Sequence, residues 1–383
     1  MRILKRIGTA LLFLVIALCL APTLVPPFLD RIYYEGPKSG HFDGERFFNP
    51  GFPNGGGHGT PSNFLNRVLS GGRAQWPAMV PVKQGYPAAE ATTCPPLRGG
   101  AVAENWRRCV DRVDPRLMAV TWIGHSTVLV QAGGLNILTD PIWSERASPF
   151  SFIGPKRVRA PGIRFEDLPK IDLILVSHNH YDHMDLPTLK ALWQRDRPVI
   201  VTSLGNDTIL RNSGVESVAL DWGGRKRIGP GAEVIVERNH HWGSRWGTDR
   251  NRALWSAFTV KLPGGNIFYA GDTGFGDGSW VREAARNGPY RLAILPIGAY
   301  EPRDFMKTNH IDPEEAVRIF ETLDPAMALG VHWGTFQLTF EPINDPPKRL
   351  QALKKARGIA PRRFIATEVG RSFLVPALPA PAD

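Results

Sequence analysis

The chain has 383 residues, 43% of them apolar, which is ample for a sizeable core. It carries 46 Lys and Arg against 36 Asp and Glu, and the net charge of +10 attracts it to anionic surfaces, whether phospholipid or nucleic acid. Its three cysteines, Cys19, Cys94 and Cys109, lack CxxC-type spacing, which excludes a cysteine zinc knuckle.

Residues 1–30 open with Arg2, Lys5 and Arg6, followed by an uncharged stretch from Ile7 to Leu29. That length approaches the roughly 20 residues needed to cross a bilayer. It is read as an uncleaved, single-pass anchor. The positive flank places its N-terminus in the cytoplasm and the body on the periplasmic, extracytoplasmic side. A cleaved signal peptide is the competing reading, but Pro22 after Ala21 disfavours cleavage there, and Leu18 before Cys19 is large for a lipoprotein site.

Residues 31–116 read as an extension. From Gly36 to Ser62 the sequence is rich in Gly and Pro and punctuated by Phe42, Phe47, Phe48 and Phe52, which predicts an ordered strap without helix or strand period. Cys94 and Cys109 either pair in an oxidising compartment, worth about 3 kcal/mol, or stand as two unrelated buried thiols. Arg98, Arg107, Arg108, Arg112 and Arg116 form a basic cluster, read as a solvated face or a lipid-facing patch.

A catalytic domain is expected over 117–375, with 376–383 as a tail. Strand-like runs occupy Ala119–Trp122, Thr127–Gln131 and Leu135–Thr139, with a hairpin turn at Gly133-Gly134. The apolar run Ile171–Val176 reads as a buried strand and delivers Ser177-His178-Asn179-His180-Tyr181-Asp182-His183-Met184-Asp185 at its C-terminal end. Imidazole nitrogen and carboxylate oxygen are donors that Zn²⁺ takes. His178 and His180 can turn toward one ion, while Asp182 and His183 project differently and suit a second. Asp185 is placed to cap a helix running through Leu189 and Leu192. Further strands are expected at Val199–Thr202, Glu233–Val236, Phe258–Leu262, Asn266–Ala270, Leu292–Leu295 and Ala326–Val331. Asp312-Pro313-Glu314-Glu315 begins a helix through Leu323. Strands interleaved with helices across two similar halves predict an αβ/βα sandwich. There is no solenoid repeat.

The HxHxDH run after a strand resembles the metal signature of the metallo-β-lactamase fold. Further blocks are similar to the branch containing the N-acyl-phosphatidylethanolamine-hydrolysing phospholipase D: Thr121–Val130, Leu138–Trp143, His241-Trp242, Ala270–Gly274, Pro296–Arg303, Met306–Ala316 and Val331–Phe336. The resemblance spans about Phe42 to Val375. It implies two zinc ions, the first on His178, His180 and His241, the second on Asp182, His183 and His332, with Asp272 bridging. His240 is the rival to His241, disfavoured because the family's ligand immediately precedes the Trp. Catalytic roles fall to Asp182, Asp272 and His310, the last as proton donor or phosphate partner. His125 and Asp140 are read as orienting the ligands from behind. Tyr181 and Trp242, Trp246, Trp255 and Trp333 face substrate or fill the core.

The resemblance implies a phosphodiesterase that hydrolyses N-acyl-phosphatidylethanolamine-type phospholipids to phosphatidic acid and N-acylethanolamine, working at an anionic membrane surface. A lactonase or lactamase using the same ions on a carbonyl, and a non-catalytic zinc-stabilised binding protein, are the alternatives. Nucleic acid is not expected as a partner, because the stretch from Asp272 to His332 leaves no room for the large inserted domain of nucleases with this fold. Oligomeric state is not legible.

Overall fold

The computed structural model describes residues 2–24, 31–51, 71–85, 112–229 and 231–378. Two seven-stranded sheets stack face to face. The first is built from β1 (Met118–Gly124), β2 (Thr127–Ala132), β3 (Leu135–Thr139), β4 (Leu173–Val176), β5 (Val199–Ser203) and β6 (Val218–Leu220). The second contains β7 (Arg225–Arg227), β8 (Glu233–Glu237), β9 (Ala257–Lys261), β10 (Asn266–Tyr269), β11 (Tyr290–Pro296), β12 (Met327–Val331) and β13 (Phe364–Ile365). The last strand, β14 (Ser372–Leu374), returns to the first sheet beside β1. In each sheet an antiparallel meander passes into a parallel set: β1 to β3 then β3 to β6, and β7 to β10 then β10 to β13. This is the mixed α/β sandwich predicted from the interleaved pattern.

Period-two alternation divides the core. Leu173 and Leu175 of β4 point between the sheets with Val120, Trp122, Val234 and Val236. Ile174 and Val176 point to the other face, against Leu189 and Leu192 of the helix Leu186–Asp196. On the second sheet the helix Pro313–Leu323 packs Ala316, Val317 and Phe320 inward. Its start is a full capping box: Asp312 accepts from Glu315 N at 2.9 Å, and Glu315 accepts from Asp312 N at 3.3 Å. Asp185 behaves otherwise than expected. It occupies the N-cap position, but its carboxylate makes no cap bond. Its oxygens accept instead from Ser144 Oγ, Ser144 N and Thr188 Oγ1, tying the helix to the segment after β3.

The described part of the strap is ordered. Phe42 and Phe47 are each 1% exposed and pack with Leu254 and Trp255. Phe52, Arg98, Arg107, Arg108, Cys94 and Cys109 lie outside the described residues, so the cysteine pairing does too. Arg112 and Arg116 are paired rather than free, Arg112 with Asp172 and Arg116 with Asp114.

The N-terminal segment forms the helix α1, Arg2–Leu24, whose apolar side chains from Ile7 to Leu20 are exposed. Among the described residues no helix is long and apolar enough to cross a membrane. The expected span to Leu29 runs past Leu24 into residues outside the description.

Candidate metal centre

Six strand ends converge at one rim of the sandwich, and each delivers a polar residue. His125 follows β1, Asp140 follows β3, His178 follows β4, His241 lies beyond β8, Asp272 beyond β10, and His332 directly follows β12. His125, Asp140 and His332 adopt left-handed backbone, with φ of 52°, 32° and 63°. Non-glycine residues seldom stay there, and such strain is held where surrounding structure fixes a functional turn.

Two donor groups form. In the first, His178 Nε2 lies 2.8 Å from His180 Nδ1, which lies 3.4 Å from His241 Nε2. In the second, Asp182 Oδ2 is 3.3 Å from His183 Nε2 and 3.5 Å from His332 Nε2, and those two nitrogens are 3.3 Å apart. Asp272 Oδ2 completes this group, 3.1 Å from both His183 Nε2 and His332 Nε2. Five of the six edges of a four-donor figure therefore lie between 3.1 and 3.5 Å. A tetrahedral ion with bonds of about 2.0–2.1 Å requires edges of about 3.3–3.4 Å. The donor set fits such an ion. Asp272 Oδ2 also lies 4.0 Å from His241 Nε2, and Asp272 Oδ1 is buried without any hydrogen-bond partner. A carboxylate oxygen stripped of water and given no donor is costly unless a cation meets it.

Three of the ring nitrogens turned away from the cluster are engaged, those of His183, His178 and His241. His183 Nδ1 donates to Asp140 Oδ2 at 2.6 Å, His178 Nδ1 to Ser177 Oγ at 2.9 Å, and His241 Nδ1 to the carbonyl of Asn309 at 2.9 Å. Such outer bonds fix the tautomer and aim Nε2 inward. Asp140 is the hub, since it also accepts from Ser177 N at 2.7 Å, from Ser177 Oγ and from Tyr269 Oη. His125 Nε2 reaches Asp182 Oδ2 at 2.9 Å, while its main-chain N–H donates to Thr335 Oγ1 and its carbonyl accepts from His332 N. It lies close enough to join Asp182, His183 and His332 in one donor group.

His310 stands at the edge of the cluster. Its Nδ1 is 3.8 Å from Asp272 Oδ2, buried and without a hydrogen-bond partner. Arg303 holds the loop by donating to the His310 carbonyl at 2.6 Å and to Glu315 at 2.7 Å. His240 faces elsewhere, its Nδ1 on the Thr308 carbonyl at 2.7 Å. Trp242 packs edge-on against His180 at 4.3 Å. Trp255 and Trp333 are core, packed against Phe42 and Phe47 and against Trp122 respectively, whereas Trp246 is 37% exposed beneath Arg31. Tyr181 stacks under Arg245 at 4.0 Å, on the side of the loop toward Arg31 and Trp246.

The electrostatics match a cation site. Burial, reinforced by neighbouring imidazoles, pushes His178 and His241 well below the ordinary histidine range and His180 to about 4, so these rings are neutral donors. Burial alone would raise Asp182 and Asp272, but the imidazoles of His183, His332 and, for Asp182, His125 hold both carboxylates ionised far below their usual range. His183 is raised against its own burial by Asp272 and Asp182. Two buried carboxylates thus stand ready for positive charge.

Sequence reasoning assigned no role to Tyr269, Thr335 or Asn49. Asn49 of the strap donates from Nδ2 to the carbonyl of His241 at 2.8 Å. Tyr269 lies three residues before Asp272 on β10, but nothing in its residue type marks it.

The sequence profile described as a beta-lactamase superfamily domain matches residues 135–333. The chain is 37% identical over 262 residues to N-acyl-phosphatidylethanolamine-hydrolyzing phospholipase D 1 of Caenorhabditis elegans, covering 65% of this chain and 74% of that protein. It is 35% identical over 258 residues to the mitochondrial N-acyl-phosphatidylethanolamine-hydrolyzing phospholipase D of Saccharomyces cerevisiae, covering 66% of this chain and 55% of that one. Among solved structures, the isothiocyanate hydrolase from Delia radicum gut bacteria matches with a TM-score of 0.53 at 18% identity, covering 68% of this chain and all of that one. A metallo hydrolase from Ignicoccus hospitalis matches with a TM-score of 0.51 at 21% identity, covering 68% and 99%. These two likenesses show the fold.

Proposed function

The chain belongs to the metallo-β-lactamase superfamily of metal-dependent hydrolases, and from that premise we propose that it is a zinc phosphodiesterase acting on membrane phospholipids of the N-acyl-phosphatidylethanolamine type. The observation that carries the metal part is the close cluster of Asp182, His183, His332 and Asp272, five of whose donor separations lie between 3.1 and 3.5 Å, with the partnerless Asp272 Oδ1 at its side. The substrate class is supported by two relatives, at 37% and 35% identity, whose names state that activity.

In this reading His178, His180 and His241 would hold one zinc ion and Asp182, His183 and His332 a second, with Asp272 shared between the two sets. Bound in this way, the pair supplies Lewis acidity and a nucleophilic oxygen at neutral pH. Asp182 and Asp272 set the charge of the site, and Asp140 with Ser177 and Tyr269 fixes the orientation of His183. Water adds at phosphorus, the bond from phosphorus to the N-acylethanolamine oxygen breaks, and the departing alkoxide takes up a proton. His310, with a free buried ring nitrogen beside Asp272, is the group placed to hydrogen-bond that leaving oxygen or the phosphate. The products are phosphatidic acid and N-acylethanolamine.

The same reading places the N-terminal segment as an anchor, supported by Arg2, Lys5 and Arg6 ahead of exposed apolar side chains on α1. The body then lies on the extracytoplasmic side and meets the anionic bilayer surface that its net charge of +10 favours. The test is a hydrolysis screen of purified, zinc-loaded protein against N-acylated phospholipids, plain phospholipids, lactones and β-lactams. Preferred release of N-acylethanolamine is expected. Turnover confined to lactones or lactams overturns the phosphodiesterase reading, and no turnover on any of them favours a binding protein.

A further inference from the structure

Between β3 and the metal loop, residues 144–157 form a short hairpin arm that the chemistry above does not use. Its neck is tied by Ala147 N to the Pro155 carbonyl at 3.0 Å and Arg157 N to the Glu145 carbonyl at 2.9 Å. The Arg146 guanidinium reaches across the loop to the carbonyls of Ser151 at 3.1 Å and Gly154 at 2.7 Å. Phe150 N donates to Ser148 Oγ at 3.2 Å and closes the turn. A tip held this firmly nevertheless turns its apolar side chains to solvent. Phe150 is 49% exposed, Phe152 76% and Ile153 58%, with the two phenyl rings 5.5 Å apart. Ordered apolar clusters in water mark interaction surfaces.

Two observations select the partner. The first is continuity. Ser148 and Pro149, at the base of the tip, line a pocket of about 330 Å³ together with Arg31 and Trp246. Seven steps of chain separate Arg31 from Leu24, the end of α1, a span of at most about 25 Å when extended. Helix α1 itself exposes Leu11, Leu12, Phe13 and Leu14 by 56% or more. The chain thus carries two exposed apolar elements, more than a single peptide ligand covers. The second is charge. The guanidiniums of Arg146 and Arg31 flank the tip, while Lys156 is already matched by Glu145 at 2.7 Å. Aromatic and aliphatic side chains beside arginines suit the boundary between acyl chains and phosphates.

We infer that the Phe150–Ile153 tip is a membrane-insertion element that seats the catalytic body on an anionic phospholipid bilayer. Phe150, Phe152 and Ile153 enter the acyl region, and Arg31 and Arg146 lie at the phosphates. The same pocket is walled by Tyr181 and Met184 of the metal loop, so insertion would seat that loop near the bilayer surface. This inference rests on the reading of a membrane phospholipid as substrate, and its test separates the two.

The full chain, carrying 4-fluorophenylalanine at position 152, is reconstituted with phosphatidylcholine–phosphatidylglycerol vesicles, part of whose lipids bear a nitroxide on the acyl chain. Loss of the fluorine resonance of position 152 by broadening is expected. A resonance untouched by the nitroxide overturns the inference, as does one that shifts with protein concentration alone, which would make the tip a contact between copies. In parallel, the combined variant Phe150→Ser, Phe152→Ser, Ile153→Ser is assayed on long-chain substrate in vesicles and on a short-chain analogue held monomeric in solution. Turnover on vesicles should fall at least about tenfold with the soluble activity retained. Equal turnover of variant and parent on vesicles counts against the inference. If neither protein hydrolyses either phospholipid while the fluorine line still broadens, the substrate reading fails and the insertion stands.

Discussion

Asn49 Nδ2 donates to the main-chain carbonyl of His241 at 2.8 Å, and Asn49 Oδ1 in turn accepts from Trp255 Nε1 at 3.1 Å. A residue of the N-terminal strap thus clamps the segment that presents a ring nitrogen to His180. The strap is therefore part of the centre's support. Asn49→Ala should weaken binding of the ion assigned to His178, His180 and His241 by about 10-fold, the scale of losing an outer-shell partner. Competition with a chromogenic chelator measures it, and unchanged affinity would reduce the strap to packing.

The dinuclear reading has a direct count. Protein purified with zinc should carry close to two ions per chain by elemental analysis, and Asp272→Ala should lose most of both ions together with the activity. A single ion retained at full occupancy in the parent would sink the bridging role of Asp272.

His310 offers a way to separate chemistry from metal binding. His310→Ala should keep both ions while kcat falls by roughly 10²–10⁴, the range for loss of a proton-handling group. If turnover on the best substrate is unaltered, His310 serves only the loop that Arg303 holds.

Tyr269→Phe removes one donor to Asp140 and leaves the ring in its packed position beside Phe258. Metal affinity or activity should drop by about 10–100-fold. The thermal midpoint should fall only slightly, since one hydrogen bond to a charged group is worth about 1.5–3 kcal/mol. A large midpoint loss with normal metal binding would make Tyr269 a core residue and nothing more.

The anchor is tested by extraction. Full-length protein should stay with membranes through an alkaline carbonate wash, because a spanning helix is held by hydrophobic transfer rather than by charge. A mature chain that begins after Ala21 would show a cleaved signal instead.

The site was legible where its chemistry is local. Four donors fall within six residues from His178 to His183, behind an apolar strand, and no packing knowledge is needed to see them. Asp272 and His332 were reached only through resemblance, because each is a lone polar residue after a buried strand and looks like any other turn. Asn49 and Tyr269 stayed hidden for a stronger reason: their importance comes from tertiary contacts across 192 and 129 positions. The strands missed in the sequence are short edges. Arg225-Lys226-Arg227 has no apolar residue to alternate, and Phe364-Ile365 is too brief to show a period. Asp185 misled because a carboxylate at a helix start normally serves the helix, whereas here the segment after β3 captured it first.

The rim where six strands end draws its donor candidates from both sheets. His178, His180, Asp182 and His183 belong to the first, and His241, Asp272 and His332 to the second. Neither set makes a complete donor group alone, so an ion held as proposed would stitch the two sheets together across the seam of the sandwich. Without ions the seam would rest on apolar packing and a few hydrogen bonds such as Tyr269 to Asp140, with the buried carboxylates Asp182 and Asp272 uncompensated at the open end, and local opening should begin there.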